Sequence, residues 1–257
     1  TGASSGLGMA LARQYAADGA QLGLLARRED ALEELRATLP DAERHFIYAV
    51  DVCDHAALAD AAADFLQQTG GVEVVIANAG VSYGTLTERI ADKAVFEHII
   101  SVNLVSVVAT FAPFMRAMQS QAAAGQTDLR LVGIASVAGI RGLPGAEAYS
   151  ASKAAVISYC ESLRVEMRRH GIRVVTLAPG YIDTPMTQVN TYAMPFLMPA
   201  EKFAERAVKV INAGRSYAVI PWQMRGVSWL LRLLPNWLYD ALFSLAPYKA
   251  GKPEPHD

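Results

Sequence analysis

Three residues near the middle of the chain have the types and the spacing to move a proton. Tyr149 and Lys153 lie four positions apart in the run SVAGIRGLPGAEAYSASK, which begins at Ser136. Because residues i and i+4 share one face of a helix, a helical segment here sets an ammonium group beside a phenol. We therefore expect acid–base chemistry at Tyr149.

The spacing matters because an isolated tyrosine titrates near pH 10, which is too high for proton transfer at neutral pH. A cation about 5 Å away, at an effective dielectric of about 20, favours the phenolate by roughly 3 kcal/mol and lowers its pKa by about two. We expect Lys153 to lower the pKa of Tyr149 in this way. The same spacing also arises by chance in many helices, so the surrounding motifs decide whether Tyr149 is a catalytic residue.

Short apolar runs alternate with segments rich in Ala, Leu, Glu and Arg, and this alternation predicts the elements that position the three residues. The predicted strands cover residues 22–26, 45–50, 72–80, 129–136, 172–180 and 217–221. The predicted helices cover residues 6–18, 28–38, 54–68, 91–119, 149–169 and 200–213. The alternation indicates an α/β fold with a doubly wound parallel sheet.

Composition and charge limit the function classes. The 257 residues are 52% hydrophobic and 19% charged, which fits a chain that buries a full core. A net charge of −2 gives no basic excess, so we expect no nucleic-acid partner. Two cysteines and no recognisable export signal predict a cytoplasmic location. The five histidines lack ligand spacing, so we expect no metal.

One uncharged run, residues 98–115, reaches the lower length limit of a membrane span. It contains Ser101, Asn103, Ser106, Thr110 and Pro113. These polar residues and the proline favour a buried interface helix over a lipid-facing one.

A glycine-rich run, TGASSGLG, directly precedes the first predicted helix. Glycines in such a run allow a tight turn, close approach of the backbone to a pyrophosphate and close packing of helix on sheet, with phosphates at the helix N-terminus. The predicted cofactor-binding residues of this run are Gly2, Ser4, Ser5, Gly6, Leu7 and Gly8. Because such a run ordinarily follows the central strand, we expect about 5 to 10 further residues before Thr1.

The residues about twenty positions further on bear on the choice of dinucleotide. An acidic residue there would bind the adenosine ribose of NAD, but this chain has Arg27 and Arg28. An arginine suits a 2′-phosphate through a forked, charge-assisted contact, so we predict NADP(H) rather than NAD(H). The alternative is that the arginines only cap or solvate the following helix.

With TGASSGLG, ANAG, Asn103, the Ser136/Tyr149/Lys153 set and PGYIDT in this order, the chain resembles the short-chain dehydrogenase/reductase family. The resemblance covers Thr1 to about Ile220. It implies a Rossmann fold and hydride transfer at a nicotinamide. It also implies a small-molecule carbonyl or alcohol substrate and a homodimer or homotetramer.

The resemblance assigns roles to four catalytic candidates. It makes Tyr149 the acid/base, and Lys153 the group that lowers its pKa and holds the nicotinamide ribose. Ser136 resembles the hydroxyl that positions and polarises the substrate carbonyl. Asn103 resembles the asparagine whose backbone holds a water linking Lys153 to solvent. A serine at a strand end is often only a cap, however, and an asparagine within a helix is often only a kink.

Further cofactor contacts rest on the resemblance alone. Asp51 and Val52 resemble adenine contacts, although Asp51 could simply begin a helix. Where the cofactor passes close to the backbone, the matching residues are Asn78, Ala79 and Gly80. The residues that resemble those holding the carboxamide and pyrophosphate follow in one segment: Pro179, Gly180, Ile182 and Thr184.

The segment 185–203 is rich in methionine, aromatic residues and proline, and in the resembled family this region is a lid over the substrate. Apolar, Met-rich walls favour an apolar or lipid-like substrate. The alternative is that these side chains pack the lid onto the body of the protein.

We divide the chain into a catalytic domain, residues 1–221, and a C-terminal amphipathic appendage, residues 222–257. The appendage carries Trp222, Trp229 and Trp237 among leucines. Between Arg215 and Lys252 the chain has a single acid, Asp240, and five basic residues: Arg215, Arg225, Arg232, Lys249 and Lys252. We predict two short helices, and the alternatives are peripheral membrane contact through 222–246, a subunit contact or lid, and intramolecular packing.

Two function classes follow. The first is an NADP-dependent oxidoreductase acting on a carbonyl or hydroxyl group of a hydrophobic substrate. The second is a catalytically silent, NADP-binding sensor or interaction protein on the same fold. The presence of both Tyr149 and Lys153 favours the enzyme.

Overall fold

Short parallel strands separated by helices make up the protein, whose computed structural model describes residues 1–246, 248–249 and 251. The strands are β1 (Gly23–Ala26), β2 (Phe46–Ala49), β3 (Val74–Ala77), β4 (Arg130–Ile134), β5 (Arg173–Pro179), β6 (Ile182–Asp183), β7 (Met198–Pro199) and β8 (Tyr217–Ile220). The α-helices are α1 (Gly6–Ala17), α2 (Glu29–Ala37), α3 (His55–Thr69), α4 (Asp92–Ile100), α5 (Ser106–Phe111), α6 (Met115–Ala123), α7 (Glu147–Met167), α8 (Pro185–Gln188), α9 (Ala200–Asn212), α10 (Trp222–Leu233) and α11 (Asn236–Phe243). Lys252 and the other residues of the predicted appendage at 247, 250 and 252–257 lie outside the described residues.

Every strand pair is parallel, and the strands are ordered β2-β1 in one sheet and β3-β4-β5-β8 in another. The central strands β4 and β5 are buried along nearly their whole length, which is why they read as continuous Val, Leu and Ile runs. Each of the six predicted strands contains an observed one. The predicted α/β, doubly wound architecture is confirmed.

The two sheets are separated by a cavity of about 520 Å³ that is lined by β1, β3 and α1. The first residues of the chain connect the two sheets at one end of this cavity. The amine of Thr1 donates a hydrogen bond to the Ile76 carbonyl at 2.8 Å, and the Ala3 amide donates to the Leu25 carbonyl at 3.1 Å. The expectation of a strand preceding Thr1 stays a prediction.

The helix predicted over residues 91–119 is interrupted twice. A π-helical turn, Ser101–Val105, separates α4 from α5, and a 3-10 turn, Ala112–Phe114, separates α5 from α6. Pro113 lies in the second interruption, where its missing N–H breaks the regular hydrogen-bond series. The π-helical turn, in contrast, contains no proline.

The whole helical run, residues 92–123, is long and apolar enough to cross a membrane by length and composition. A core helix of a soluble protein has the same properties. Phe111 and Met118 pack in the protein core, whereas Val105 and Val108 are exposed. The predicted buried interface helix is therefore only partly buried within this chain.

Candidate active site

A cavity of about 330 Å³ lies at the carboxyl ends of β1, β3, β4 and β5, and nearly all of the predicted site residues line it. This edge of a doubly wound sheet, where the strand order reverses, is where such folds bind ligands. The predicted residues that line the cavity are Gly2, Ser4, Ser5, Gly6, Leu7, Arg27, Arg28, Asp51, Val52, Asn78, Ala79, Gly80, Ser136, Tyr149, Lys153, Pro179, Gly180, Ile182 and Thr184. Gly8 and Asn103 lie behind its wall.

Gly8 allows the glycine-rich loop to fold tightly onto α1. A Cβ atom at this position would lie 2.1 Å from the carbonyl oxygen of Gly2, so no other residue fits. The loop ends at Ser5, which precedes α1 in an extended conformation, and the first turn of α1 carries no acidic residue. The first amides of α1 therefore lie beside the cavity without a competing carboxylate, which is the arrangement that suits a phosphate.

Tyr149 and Lys153 both lie on α7, one turn apart as predicted. The Lys153 Nζ atom lies 5.9 Å from the centre of the Tyr149 ring. The same ammonium donates a hydrogen bond to the Ile134 carbonyl at 2.8 Å and is 4% exposed. Lys153 is therefore fixed to the end of β4, at the side of the phenol.

Ser136 follows β4 and comes near Tyr149 from the opposite end of the loop that joins β4 to α7. Its hydroxyl accepts a hydrogen bond from the Ala138 amide at 3.1 Å, which caps the 3-10 turn Val137–Gly139. It also lies close enough to the Tyr149 phenol to act against the rise in its pKa. The capping role and contact with the phenol therefore coexist in one side chain.

The expectation that Lys153 lowers the pKa of Tyr149 is wrong. Burial raises the pKa of Tyr149, and the nearby Ser136 hydroxyl opposes only part of that rise. Burial also lowers the pKa of Lys153 to about 8. The physical reason is desolvation, which penalises the phenolate and the ammonium alike and outweighs their attraction.

Asn103 lies within the π-helical turn and is fully buried. Its Oδ1 accepts a hydrogen bond from the Val81 amide at 2.8 Å, and its Nδ2 donates to the Val81 carbonyl at 2.9 Å. Nδ2 also donates to the Ser152 hydroxyl at 3.0 Å. The side chain is thus committed to structure, and the role that the resemblance implies for its backbone and a water stays a prediction.

Arg28 reaches across to the glycine-rich loop. Its Nη2 donates to the carbonyl and the hydroxyl oxygen of Ser4 at 3.2 and 3.3 Å, while its side chain makes no cap hydrogen bond to α2. Arg27 lies 3.9 Å from a carboxylate oxygen of Asp51, and both of these side chains are exposed. The two arginines therefore border the cavity with their guanidinium groups, and Arg28 does not cap α2.

Comparison with known proteins identifies the family of this chain. A family model described as short chain dehydrogenase matches residues 1–194. The chain belongs to the short-chain dehydrogenase/reductase family. It is 36% identical over 245 residues to an uncharacterized oxidoreductase of Myxococcus xanthus, a match that covers 94% of this chain and 93% of the relative.

Two solved structures, of a reductase and of a dehydrogenase, show the same fold. The 3-ketoacyl-(acyl-carrier-protein) reductase of Brucella melitensis, complexed with NADH, has a TM-score of 0.78 at 24% identity and covers 85% of this chain and 93% of its own. The alcohol dehydrogenase of Thermococcus sibiricus, complexed with 5-hydroxy-NADP, has a TM-score of 0.74 at 26% identity, with the same two coverages of 85% and 93%. These structures confirm the Rossmann fold, and the family match together with the Myxococcus xanthus relative supports the oxidoreductase class.

The segment 185–203, which is predicted to be a lid, combines both roles that its composition allows. Ile182 and Met198 pair in a small parallel sheet, and Met198 packs into the main core. Met186 lines the cavity, whereas Phe196 is 50% exposed. One methionine therefore holds the lid down and another faces the site.

Sequence reasoning missed several residues at the site. His98 and Val102 line the cavity although they were not predicted to, and Pro185, Met186 and Thr187 of the predicted lid segment also line it. Lys249 was counted only as a basic residue of the appendage, yet its ammonium lies 5.7 Å from the centre of the Tyr149 ring. Nothing in the spacing of a residue one hundred positions away could have indicated that contact.

Proposed function

We propose that the chain is an NADP(H)-dependent oxidoreductase that transfers hydride between the cofactor and a carbonyl or hydroxyl group of a small, apolar or lipid-like substrate. The observation that carries this proposal is the convergence of Ser136, Tyr149 and Lys153 on the cavity that also holds the glycine-rich loop. Membership of the short-chain dehydrogenase/reductase family supports the reaction type.

The residues present fit a dinucleotide. Gly8 permits the close loop on which a pyrophosphate would lie, and the free first turn of α1 offers amide donors. Arg27 and Arg28 border the cavity beyond β1, where an acidic residue would select NAD, and they support NADP(H). When bound, the nicotinamide supplies or accepts the hydride.

Tyr149 is suited to supply the proton in the reductive direction. Its raised pKa keeps the phenol protonated at neutral pH, so a proton is ready for the oxygen of a carbonyl as hydride reaches the carbon. The Ser136 hydroxyl, beside the phenol, would hold that oxygen and stabilise the charge that develops on it. Lys153, with its pKa near 8, carries a positive charge at neutral pH and would favour the phenolate that remains.

Turnover with NADPH and a panel of long-chain ketones tests the proposal. We expect NADPH oxidation by the wild-type protein and a loss of about a hundredfold or more in Tyr149→Phe, because the general acid is removed. Tyr217→Phe, which changes an exposed tyrosine of β8, is the matched control and should retain activity. Binding of NADPH without oxidation on any ketone would favour the silent sensor instead.

We further propose that α10 rests on an anionic membrane surface. Trp222, Trp229 and Leu233 are spaced i, i+7 and i+11, so they share one face, and they are 72%, 67% and 59% exposed. Arg225 lies beside this face, and α10 contains no acidic residue. Exposed tryptophan and leucine bordered by arginine are typical of helices at the lipid interface, and the positive charge matches anionic headgroups.

Co-sedimentation with vesicles tests this contact. We expect wild-type protein to bind vesicles containing phosphatidylserine more strongly than vesicles of phosphatidylcholine alone, and the double variant Trp222→Ser/Trp229→Ser to lose that binding. Equal sedimentation of both proteins, or a dimer that the double variant breaks in light scattering, would overturn the membrane proposal. The cytoplasmic location and the homodimer or homotetramer stay predictions.

A further inference from the structure

The phenol of Tyr149 has a second ammonium group beside it. Lys249 Nζ lies 5.7 Å from the centre of the Tyr149 ring, a distance close to the 5.9 Å of Lys153. Lys249 follows α11 in the chain and is half-buried, and burial lowers its pKa to about 8. A cation from the C-terminal segment therefore lies beside the Tyr149 ring, next to the cavity that Tyr149 lines.

This segment is anchored to the loop that joins Ser136 to Tyr149. Gly145, in that loop, has φ +69°, and a Cβ atom there would lie 2.8 Å from Tyr248 Cβ. The residue before Lys249 thus packs directly onto the backbone of the loop. The Tyr239 hydroxyl of α11 also donates a hydrogen bond to the Gly142 carbonyl.

Arg141 provides the remaining anchor. Its Nη1 donates to the carbonyls of Leu231 and Leu234 at 3.0 and 2.8 Å, and its Nη2 donates to Asn236 Oδ1 at 3.0 Å. Its guanidinium carbon lies 4.1 Å from the centre of the Tyr239 ring. Arg141 therefore holds both sides of the turn between α10 and α11, the helices that precede Lys249, against the loop.

The two lysines differ in what they contact. Lys153 donates to the Ile134 carbonyl, whereas Lys249 has no carboxylate within ion-pair distance among the residues that the structure describes. Burial of a cation is unfavourable unless a negative charge lies close to it, and the described residues supply none to Lys249, so the position favours a ligand that brings a negative charge. Such a ligand would lie on the side of Tyr149 that faces the C-terminal segment.

We propose that Lys249 binds an anionic group, a carboxylate or a phosphate, that the substrate carries close to its reacting carbonyl. This inference rests on the proposed function and narrows its substrate class to amphiphilic anions such as long-chain keto acids. The apolar lid residue Met186 and the cation of Lys249 then contact different parts of one molecule.

Calorimetric binding of three ten-carbon probes tests the proposal without turnover. The probes are decanoate, decyl phosphate and the neutral methyl decanoate. We expect Lys249→Met to weaken the binding of at least one anionic probe about tenfold or more, because a charge-assisted hydrogen bond is lost, and to leave methyl decanoate unchanged. Which anion responds identifies the headgroup, and Lys249→Arg should retain most of the affinity.

Lys202→Met, which removes an exposed lysine of α9, controls for the loss of one positive charge. Equal effects of Lys249→Met on charged and neutral probes, or the same weakening in Lys202→Met, would overturn the proposal. So would equal binding of all three probes by the wild-type protein.

Kinetics with a medium-chain γ-keto acid and its methyl ester separate this inference from the function on which it rests. We expect Lys249→Met to raise KM for the acid about tenfold with little change in kcat, and to leave the ester unaffected. If neither compound is reduced, the proposed function fails while the binding series still decides the role of Lys249. A fall in kcat for both compounds would assign Lys249 to Tyr149 rather than to the substrate, and would contradict the proposal.

Discussion

Asn103 donates a hydrogen bond to the hydroxyl of Ser152 at 3.0 Å, and that hydroxyl donates in turn to the Tyr149 carbonyl at 2.8 Å. The π-helical turn is thus tied to the first turns of α7, on which Tyr149 and Lys153 lie. The other side-chain bonds of Asn103 go to the Val81 amide and carbonyl, just beyond β3. One buried amide therefore sets the position of α7 relative to the strand ends.

Replacing Asn103 with alanine should destabilise the fold. The change leaves the Val81 amide and carbonyl without partners, and we expect the free energy of unfolding to fall by about 2 to 4 kcal/mol. Urea denaturation followed by circular dichroism measures the loss. Ser152→Ala, which removes a single link, should cost only about 1 kcal/mol. Equal costs for the two variants would contradict this role of Asn103.

The arginines after β1 predict cofactor choice. Arg28→Asp and Arg27→Asp each put a carboxylate where a 2′-phosphate is expected, so the Kd for NADPH should rise about tenfold to a hundredfold while that for NADH changes little. Fluorescence titration with both cofactors measures this. Arg13→Asp, on the exposed side of α1, serves as the charge-matched control. Equal wild-type affinity for NADPH and NADH would refute the assignment.

Lys153 should make stability depend on pH. Burial lowers its pKa from 10.5 to about 8, so below pH 8 the folded protein carries a buried charge at a cost of about 3 kcal/mol. Between pH 8 and 10.5 the folded protein releases this proton while the unfolded chain keeps it, so the cost shrinks as the pH rises. Lys153→Met cannot carry the charge, and it should therefore be the more stable protein at pH 7 by up to about 3 kcal/mol.

Urea unfolding of wild type and Lys153→Met across this pH range checks the prediction, because the other titrating groups are common to both proteins. The difference in unfolding free energy should be largest below pH 8 and should fade toward pH 10.5. The exposed-lysine variant Lys202→Met should show a flat difference. A pH-independent difference for Lys153→Met would be incompatible with a lowered pKa.

Arg141 should hold α10 and α11 against the loop between Ser136 and Tyr149. Arg141→Ala removes four hydrogen bonds, to the carbonyls of residues 231, 232 and 234 and to Asn236 Oδ1, and the contact with the Tyr239 ring. We expect it to loosen residues 222–246 by about 2 to 3 kcal/mol. Amide hydrogen exchange should speed up there and in the loop, while α3 remains protected. Arg141→Lys keeps the charge without the forked geometry and should be intermediate. Unchanged exchange in Arg141→Ala would rule this anchor out.

The fold could be predicted from the sequence because buried parallel strands are apolar on both faces. The runs around β4 and β5 are therefore continuous, and their alternation with helices indicates the architecture. The interruptions of the long helix were harder to predict from the sequence. Pro113 marks the 3-10 turn, but the π-helical turn at Asn103 arises from long-range hydrogen bonds to Val81 and Ser152 that local periodicity does not contain.

The site also has features that the sequence predicts and features that it does not. Motif residues such as Gly2, Ser136 and Tyr149 lie at ends of strands or starts of helices, so their convergence follows from the topology of the sheet. The pKa of Tyr149 could not be read from its spacing to Lys153, because desolvation depends on every neighbour that covers the ring. The contact with Lys249 depends on how α10 and α11 turn back, and no short motif encodes that path.

The anchoring of the Ser136–Tyr149 loop by Arg141 and Tyr239 has a consequence during synthesis on the ribosome. The loop emerges well before its partners at 231–239, which lie some ninety residues later in the chain. A nascent polypeptide that already contains Ser136, Tyr149 and Lys153 therefore lacks the contacts that hold this loop. It gains them only when α10 and α11 leave the exit tunnel. The contacts that hold the Ser136–Tyr149 loop therefore form only after α10 and α11 have been synthesised.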